Sequence, residues 1–434
     1  MKKFLFLAAL PAALAAQQPA TDSLHPITLT EAIARATQYG PNAVAAHGQT
    51  TTAHEGVKSA YAQFIPSLSW SMGQSQQSGG RLNTQGTVVP YSGPAWSYND
   101  GLRFGLTLFD GGQRFAGLRT AKAAVNSAEA NEVAQKFNIA LNVKTQYYNI
   151  LAALESEGAA QAQLQQAVEQ MKVSVAKVLA GASTMADSLQ SGIQVGNARL
   201  ALLTAQNNLQ VASAALTTLV ATPYLVTAEA SDTLAQDLTP VDSGRIADFA
   251  AQGPSIRSAE AGLASAQAGV SASKAPYLPS ITITYSRNGT GYDQYYGIGG
   301  GLLAYSKNLS LSLNYSLFSN WSREVGSVSA NVALDNANAT LRNARFTAQQ
   351  SVVQYVTSLQ TLQEQIQIQQ QSITAAEENL RVQEQRYAVG ASTLLDVLTA
   401  ETTLNQARAQ LIQYRLNFRT TKAQIEALIG RDLE

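Results

Sequence analysis

The run Gly181-Ala182-Ser183-Thr184 returns as Gly390-Ala391-Ser392-Thr393, displaced by 209 positions. The same displacement carries Asp187 onto Asp396, Leu189 onto Leu398, Ala198-Arg199 onto Ala407-Arg408, Leu108-Phe109 onto Leu317-Phe318 and Arg114 onto Arg323. Nearer the N-terminus the displacement is 213, placing Gly40-Pro41 on Gly253-Pro254 and Pro66-Ser67 on Pro279-Ser280. Chance does not supply so many matches at one register. The chain is therefore a unit of roughly 200 residues written twice, and any fold must satisfy the same pattern two times over. The boundaries read as a first repeat over 17–222, a linker over 223–241 rich in Thr, Ala and Asp, and a second repeat over 242–434.

Within each repeat the hydrophobic period changes. Ser67 to Met72 alternates small polar with apolar residues, and Leu102, Phe104, Leu106 and Leu108 alternate with Arg103, Gly105 and Thr107. In the second repeat Ile281, Ile283 and Tyr285 alternate with Thr282, Thr284 and Ser286, and Leu309 to Leu317 alternates with Ser310, Ser312, Asn314 and Ser316. A period of two predicts strands, over about 66–76, 100–109, 279–288 and 307–318. The connections, such as Gly79 to Asn99 and Asn288 to Gly301, are long. More than half of the aromatic residues fall within 61–109 and 277–321, among them Trp70, Trp96, Tyr98, Tyr292, Tyr295, Tyr296 and Trp321.

After each strand pair the period becomes seven. Val352, Leu359, Ile366, Ile373, Leu380 and Tyr387 form one row; Val143, Ile150, Glu157, Leu164, Met171 and Val178 form its counterpart, with one polar interruption. Returning rows run through Val195, Leu202, Leu209 and Leu216, and through Leu404, Leu411, Phe418 and Ile425. Heptads predict long helical hairpins paired along a coiled-coil seam, over 112–221 and 321–430. At about 1.5 Å per residue the outgoing arm reaches on the order of 100 Å, far more than a globular core needs.

Met1-Lys2-Lys3, the apolar run Phe4 to Leu10 and the small residues Ala13 to Ala16 read as a secretory leader over 1–16. No later segment is apolar enough for a spanning helix. Leu200 to Ala228, the longest charge-free stretch considered, is broken by Gln206, Asn207, Asn208 and Gln210. Charged residues make up 13% of the chain, against about 25% in ordinary soluble domains. Lys plus Arg (29) balances Asp plus Glu (29), which gives no basis for nucleic-acid binding. With no cysteine and three scattered histidines, no HExxH, GxxxxGK or GxSxG motif occurs. The chain reads as no enzyme, with no cofactor and no metal site.

An exported chain with alternating ten-residue strands and clustered aromatics fits a transmembrane β-barrel. Such a sheet tolerates no open edge in lipid, and known barrels begin at about eight strands. Four strands per chain therefore require identical neighbours. Two chains would give eight strands and a filled lumen; three would give twelve and a channel, which the small inward residues favour. The competing reading is a periplasmic coiled-coil tether or adaptor that never inserts. An adaptor, however, needs a lipoyl-like domain between its helices and usually one hairpin.

At the hairpin tips, Gly181 and Gly390 suit a left-handed helix end. Thr184 with Asp187, and Thr393 with Asp396, read as capping boxes that open the returning helices.

These residues together resemble the TolC-like outer-membrane efflux proteins. The resemblance covers almost the whole mature chain. It rests on Leu29-Thr30-Glu31-Ala32-Ile33-Ala34 with Gly40-Pro41-Asn42, the strand entries Pro66-Ser67 and Pro279-Ser280, Leu317-Phe318, and above all Arg386 to Leu398 at the second tip. It implies a mostly α-helical homotrimer with a twelve-stranded transmembrane β-barrel continued by a twelve-helix coiled-coil α-barrel. It further implies an outer-membrane duct of a tripartite pump or type I secretion system, working with a periplasmic adaptor (membrane fusion) protein and an inner-membrane transporter. By position, Gly181, Ala182, Ser183, Thr184, Gly390, Ala391, Ser392 and Thr393 are the adaptor-docking tips. Tyr387 and Asp187 fall where helices are held together in a closed periplasmic aperture, and Asp396 where three carboxylates line it. Ser392 stands in place of a gate arginine and Thr399 in place of a second acidic residue. Capping alone, or capping together with gating, both remain readings of Asp396.

Overall fold

The computed structural model describes residues 24–90, 96–229, 232–234, 243–292 and 303–433. The expected leader, linker positions 230–231 and 235–241, and Tyr295 and Tyr296 lie outside the described residues. In chain order the elements are β1 (His25–Ile27), α1 (Leu29–Tyr39), α2 (Pro41–Ala62), β2 (Ser67–Gln76), β3 (Gly80–Leu82), β4 (Val88–Pro90), β5 (Trp96–Phe109), α3 (Gln113–Leu179) and α4 (Met185–Val220). The linker contributes β6 (Val226–Ala228). The second repeat follows with α5 (Ser243–Ala250), α6 (Pro254–Ala272), β7 (Ser280–Tyr292), β8 (Ala304–Asn314), α7 (Ser322–Ala388) and α8 (Leu394–Ile429). Every boundary of α3 and α4 recurs 209 positions later in α7 and α8, so the duplication read in the sequence is a duplication of structure.

The sheet runs β2-β5-β7-β8, antiparallel throughout. Its register sorts side chains cleanly between two faces. One face carries Leu68, Trp70, Phe104, Leu106, Ile281, Ile283, Tyr285, Leu309, Leu311 and Leu313; the other carries Ser67, Ser69, Ser71, Thr282, Thr284, Ser286, Ser310 and Ser312. Within the described residues β2 pairs only with β5 and β8 only with β7, which leaves both outer edges of the sheet open. β8 ends at Asn314, short of the expected Phe318. Asn314 is the partner of Ser280, the first residue of β7, so Tyr315 and Leu317 have no strand to pair with.

The long helices form an arc in the order α4, α3, α8, α7, with α3 touching both α4 and α8. The second hairpin buries the expected rows: Val352, Leu359, Ile366 and Leu380 on α7, with Leu404, Leu411, Phe418 and Ile425 on α8. The first hairpin departs from expectation below Ile150. Glu157, Leu164 and Val178 are half-buried and Met171 is exposed, whereas Ala160, Ala167 and Ser174 are buried, three positions out of phase. Opposite them lie Ser191, Ala198 and Ala205 on α4, and Ser191 Oγ donates to Ser174 Oγ at 2.8 Å. Small side chains let these two helices approach closely, and that close packing displaced the larger row from the seam.

The linker is tied to the first repeat. β6 runs parallel to β1, Tyr147 on α3 donates its hydroxyl to Asp232, and Leu234 N–H donates to Glu155 Oε1 at 3.3 Å. This small sheet and its anchor on Tyr147 were not foreseen.

Candidate functional site

Both hairpin tips are built the same way. Ala182 N–H donates to Lys177 O at 2.8 Å and Gly181 N–H to Val178 O at 3.0 Å; Ala391 N–H donates to Arg386 O at 2.8 Å and Gly390 N–H to Tyr387 O at 3.1 Å. Each pair of bonds is a Schellman closure, which needs a left-handed residue at the glycine. Gly181 and Gly390 supply it with φ of 70° and 78°.

The returning helices open on the expected capping boxes. Thr184 Oγ1 accepts from Asp187 N–H and Thr393 Oγ1 from Asp396 N–H, at 3.4 and 3.3 Å. Asp396 Oδ2 takes the Thr393 N–H at 2.9 Å, the Thr393 hydroxyl at 2.8 Å and the Ser392 hydroxyl at 2.9 Å. These bonds, with nearby Arg386, hold its carboxyl below the usual range. Asp187 is lowered likewise, first by the Ser183 hydroxyl and then by the Thr184 backbone. Ser392 Oγ also lies 3.0 Å from Gln383 Oε1, so its one proton is shared between the two acceptors and it braces the loop instead of supplying charge. Thr399 bonds back to Leu395 O at 2.8 Å within its own helix.

Within the protomer Asp187 and Tyr387 are not partners. Tyr387 is buried, and its hydroxyl has no hydrogen-bond partner among the described residues. The group that meets it is Lys177 on α3, whose Nζ lies 3.7 Å from the ring centroid and donates to the Tyr387 carbonyl. Lys177 was missed in the sequence, although it is the repeat counterpart of Arg386. Also missed was the carboxylate pair one turn above. Glu401 on α8 has a buried Oε1 without a partner among the described residues and is pushed up to about 7 by burial and by Glu384 on α7. Gln166 Nε2 on α3 donates to Glu384 Oε1 at 3.4 Å.

The two tips differ in packing. Leu394, Val397, Leu398, Tyr387, Leu380 and Leu404 form a buried cluster at the second. At the first, Met185 and Leu189, the counterparts of Leu394 and Leu398, are 67% and 64% exposed.

At the other end of the molecule, Arg103 on β5 lies on the polar sheet face opposite Ser69 and Ser286. It is the only charged residue on that face among the described strand residues of the sheet. The apolar face, with Trp70 and Tyr305 among its aromatic residues and with Tyr315 and Trp321 following between β8 and α7, has the make-up of a lipid-facing barrel wall. Among the described residues no helix is long and apolar enough to cross a membrane.

Comparison with known proteins agrees with this arrangement. The family described as outer membrane efflux protein matches residues 32–222 and 246–431. The pyoverdine export outer membrane protein OpmQ of Pseudomonas aeruginosa is 26% identical over 387 residues, covering 85% of this chain and 76% of that protein. The outer membrane protein VceC of Vibrio cholerae superposes with a TM-score of 0.72 at 20% identity, over 94% of this chain and 97% of its own. CusC superposes with a TM-score of 0.74 at 18% identity, over 99% of each chain. The duplicated strand-and-hairpin architecture and the family match lead to one assignment: the chain belongs to the outer membrane efflux protein family and resides in the bacterial outer membrane.

Proposed function

We propose that the chain is the exit duct of a tripartite efflux pump or type I secretion system, assembled from three copies. The open edges of the β2-β5-β7-β8 sheet carry this reading. Unpaired backbone groups in hydrocarbon cost several kcal/mol each, and the described residues offer no further long strand to close the ring. Three sheets give twelve strands, a bore wide enough for a water-filled lumen lined by the Ser and Thr face. The helical arc supports the same count. Its outermost members expose apolar residues along their free sides, Leu200, Leu203 and Val211 on α4 and Val328, Phe346 and Val353 on α7. Neighbouring copies bury such rows, completing a twelve-helix barrel.

The duct is passive. It acts on its cargo by no chemistry, and energy comes from an inner-membrane transporter. A periplasmic adaptor docks on the tips at 181–184 and 390–393, where the two glycine turns hold the loops rigid. The aperture closes where Tyr387, Asp187 and Asp396 of the three copies converge, and docking opens it.

Chemical cross-linking of the purified protein tests the assembly. Heat-modifiable trimers in the outer-membrane fraction are expected. A soluble periplasmic monomer would instead favour a tether.

A further inference from the structure

The apolar sheet face ends in a pair of cations. Ile281 faces Leu313, Ile283 faces Leu311 and Tyr285 faces Leu309; the next pair in the same column is Arg287 facing Lys307. Like charges directly opposite one another are destabilising, and both side chains are exposed. Among the described residues neither is ion-paired. The nearest carboxylate along the register is Asp100, which faces Gly289 and accepts the Trp70 Nε1–H at 2.6 Å.

The arginine is held away from that carboxylate. Its guanidinium stacks 4.0 Å over the Tyr305 ring on β8, on the side of Lys307. Gly289 makes this possible, since a Cβ there would come within 2.7 Å of Tyr305 Cε1. The missing side chain lets the ring lie across β7 as a floor beneath the guanidinium.

Depth identifies the surroundings. β7 leaves the helical end of the molecule at Ser280 and β8 returns to it at Asn314, so Arg287 and Lys307 lie toward the cell exterior. Six residues separate Lys307 from Leu313, roughly 20 Å of strand at about 3.3 Å each. With strands tilted by about 40°, that climbs about 15 Å, and the exposed Tyr315 and Leu317 carry the apolar column on below Leu313 toward the full ~25 Å band of an outer-membrane barrel. The cations thus sit on the lipid-facing wall at the outer-leaflet headgroup level.

We propose that Arg287, Lys307 and Tyr305 bind a phosphate group of a phosphorylated glycolipid of the outer leaflet. The guanidinium fork engages two phosphate oxygens and the ammonium a third, and the bound anion relieves the repulsion between the two cations. The site lies within one protomer, so it depends on outer-membrane residence and not on the number of copies in the barrel.

The test titrates the purified full-length protein in detergent with three probes: lipid A, dephosphorylated lipid A and inorganic phosphate. Native protein should bind lipid A at least tenfold more tightly than the dephosphorylated form. The double variant Arg287→Gln/Lys307→Gln should lose that preference while keeping its heat-modifiable oligomer and its conductance, and the charge-preserving Arg287→Lys/Lys307→Arg should retain it. Lys307→Gln alone, on the outermost strand, serves if the double variant does not assemble. Unchanged lipid A binding by the glutamine variant, or equal binding of both lipids by the native chain, would overturn the assignment. Full displacement by millimolar inorganic phosphate would also overturn it, leaving a site for free anions.

Discussion

Lys177 on the first hairpin stacks its ammonium 3.7 Å from the ring centroid of Tyr387 on the second, joining the two repeats close to their tips. A cation–π contact of this kind contributes about 0.5–2 kcal/mol. The lysine also caps a carbonyl of the last turn of α7. Lys177→Ala should therefore loosen the tip without affecting the barrel. The expected result is a higher open probability in planar bilayers with normal amounts of trimer in the membrane.

Glu401 gives the region above the hairpin tips a pH dependence of defined sign. Its ordinary value is 4.5 and its folded value about 7, so between those values the folded state binds more protons than the unfolded chain. Its contribution to stability is fully present below about pH 4.5 and is lost as pH rises through 7, by on the order of 1–3 kcal/mol. Glu384 on α7 is the charge that faces it, with Gln166 beside it on α3. Thermal unfolding at pH 5 and pH 8 should show the native protein less stable at the higher pH, and Glu401→Gln should flatten the difference.

Gly390 holds a φ of 78°, and an added Cβ would meet nothing within 4 Å. The cost of Gly390→Val is thus conformational, about 1–2 kcal/mol at one turn, too little to prevent folding. Trimers should still reach the membrane while export is lost. Export at the native rate would show that the turn is not a docking element.

Arg103 and Asp396 should act on permeating ions in opposite directions. Rings of charged side chains set pore selectivity, and Arg103 is the only charged residue on the polar sheet face among the described residues. Under a salt gradient, Arg103→Gln should move the reversal potential toward cations. Asp396→Ala should move it toward anions; a potential left unchanged by the latter would confine Asp396 to capping.

Much of this molecule could be read from spacing alone. The glycine turns and capping boxes depend on residues within six positions of one another, and local chemistry fixed them. The sheet faces followed from strict alternation. What escaped was decided by partners distant in sequence. The seam of α3 follows Ala160, Ala167 and Ser174 because Ser191, Ala198 and Ala205 come back opposite them. The strand at 307–318 stops at Asn314 because β7 has no residue to offer beyond Ser280. Lys177 and Glu401 gain their roles from α7, more than two hundred residues away in one case, and no periodicity announces such a meeting.

The exposed Met185 and Leu189, set against the enclosed Leu394 and Leu398, make the two hairpins equal in length but unequal in stiffness. A ring of three chains would alternate firm spokes with yielding ones. A partner pulling evenly around that rim would bend every second spoke first, so the passage would widen in three places before it widened in six.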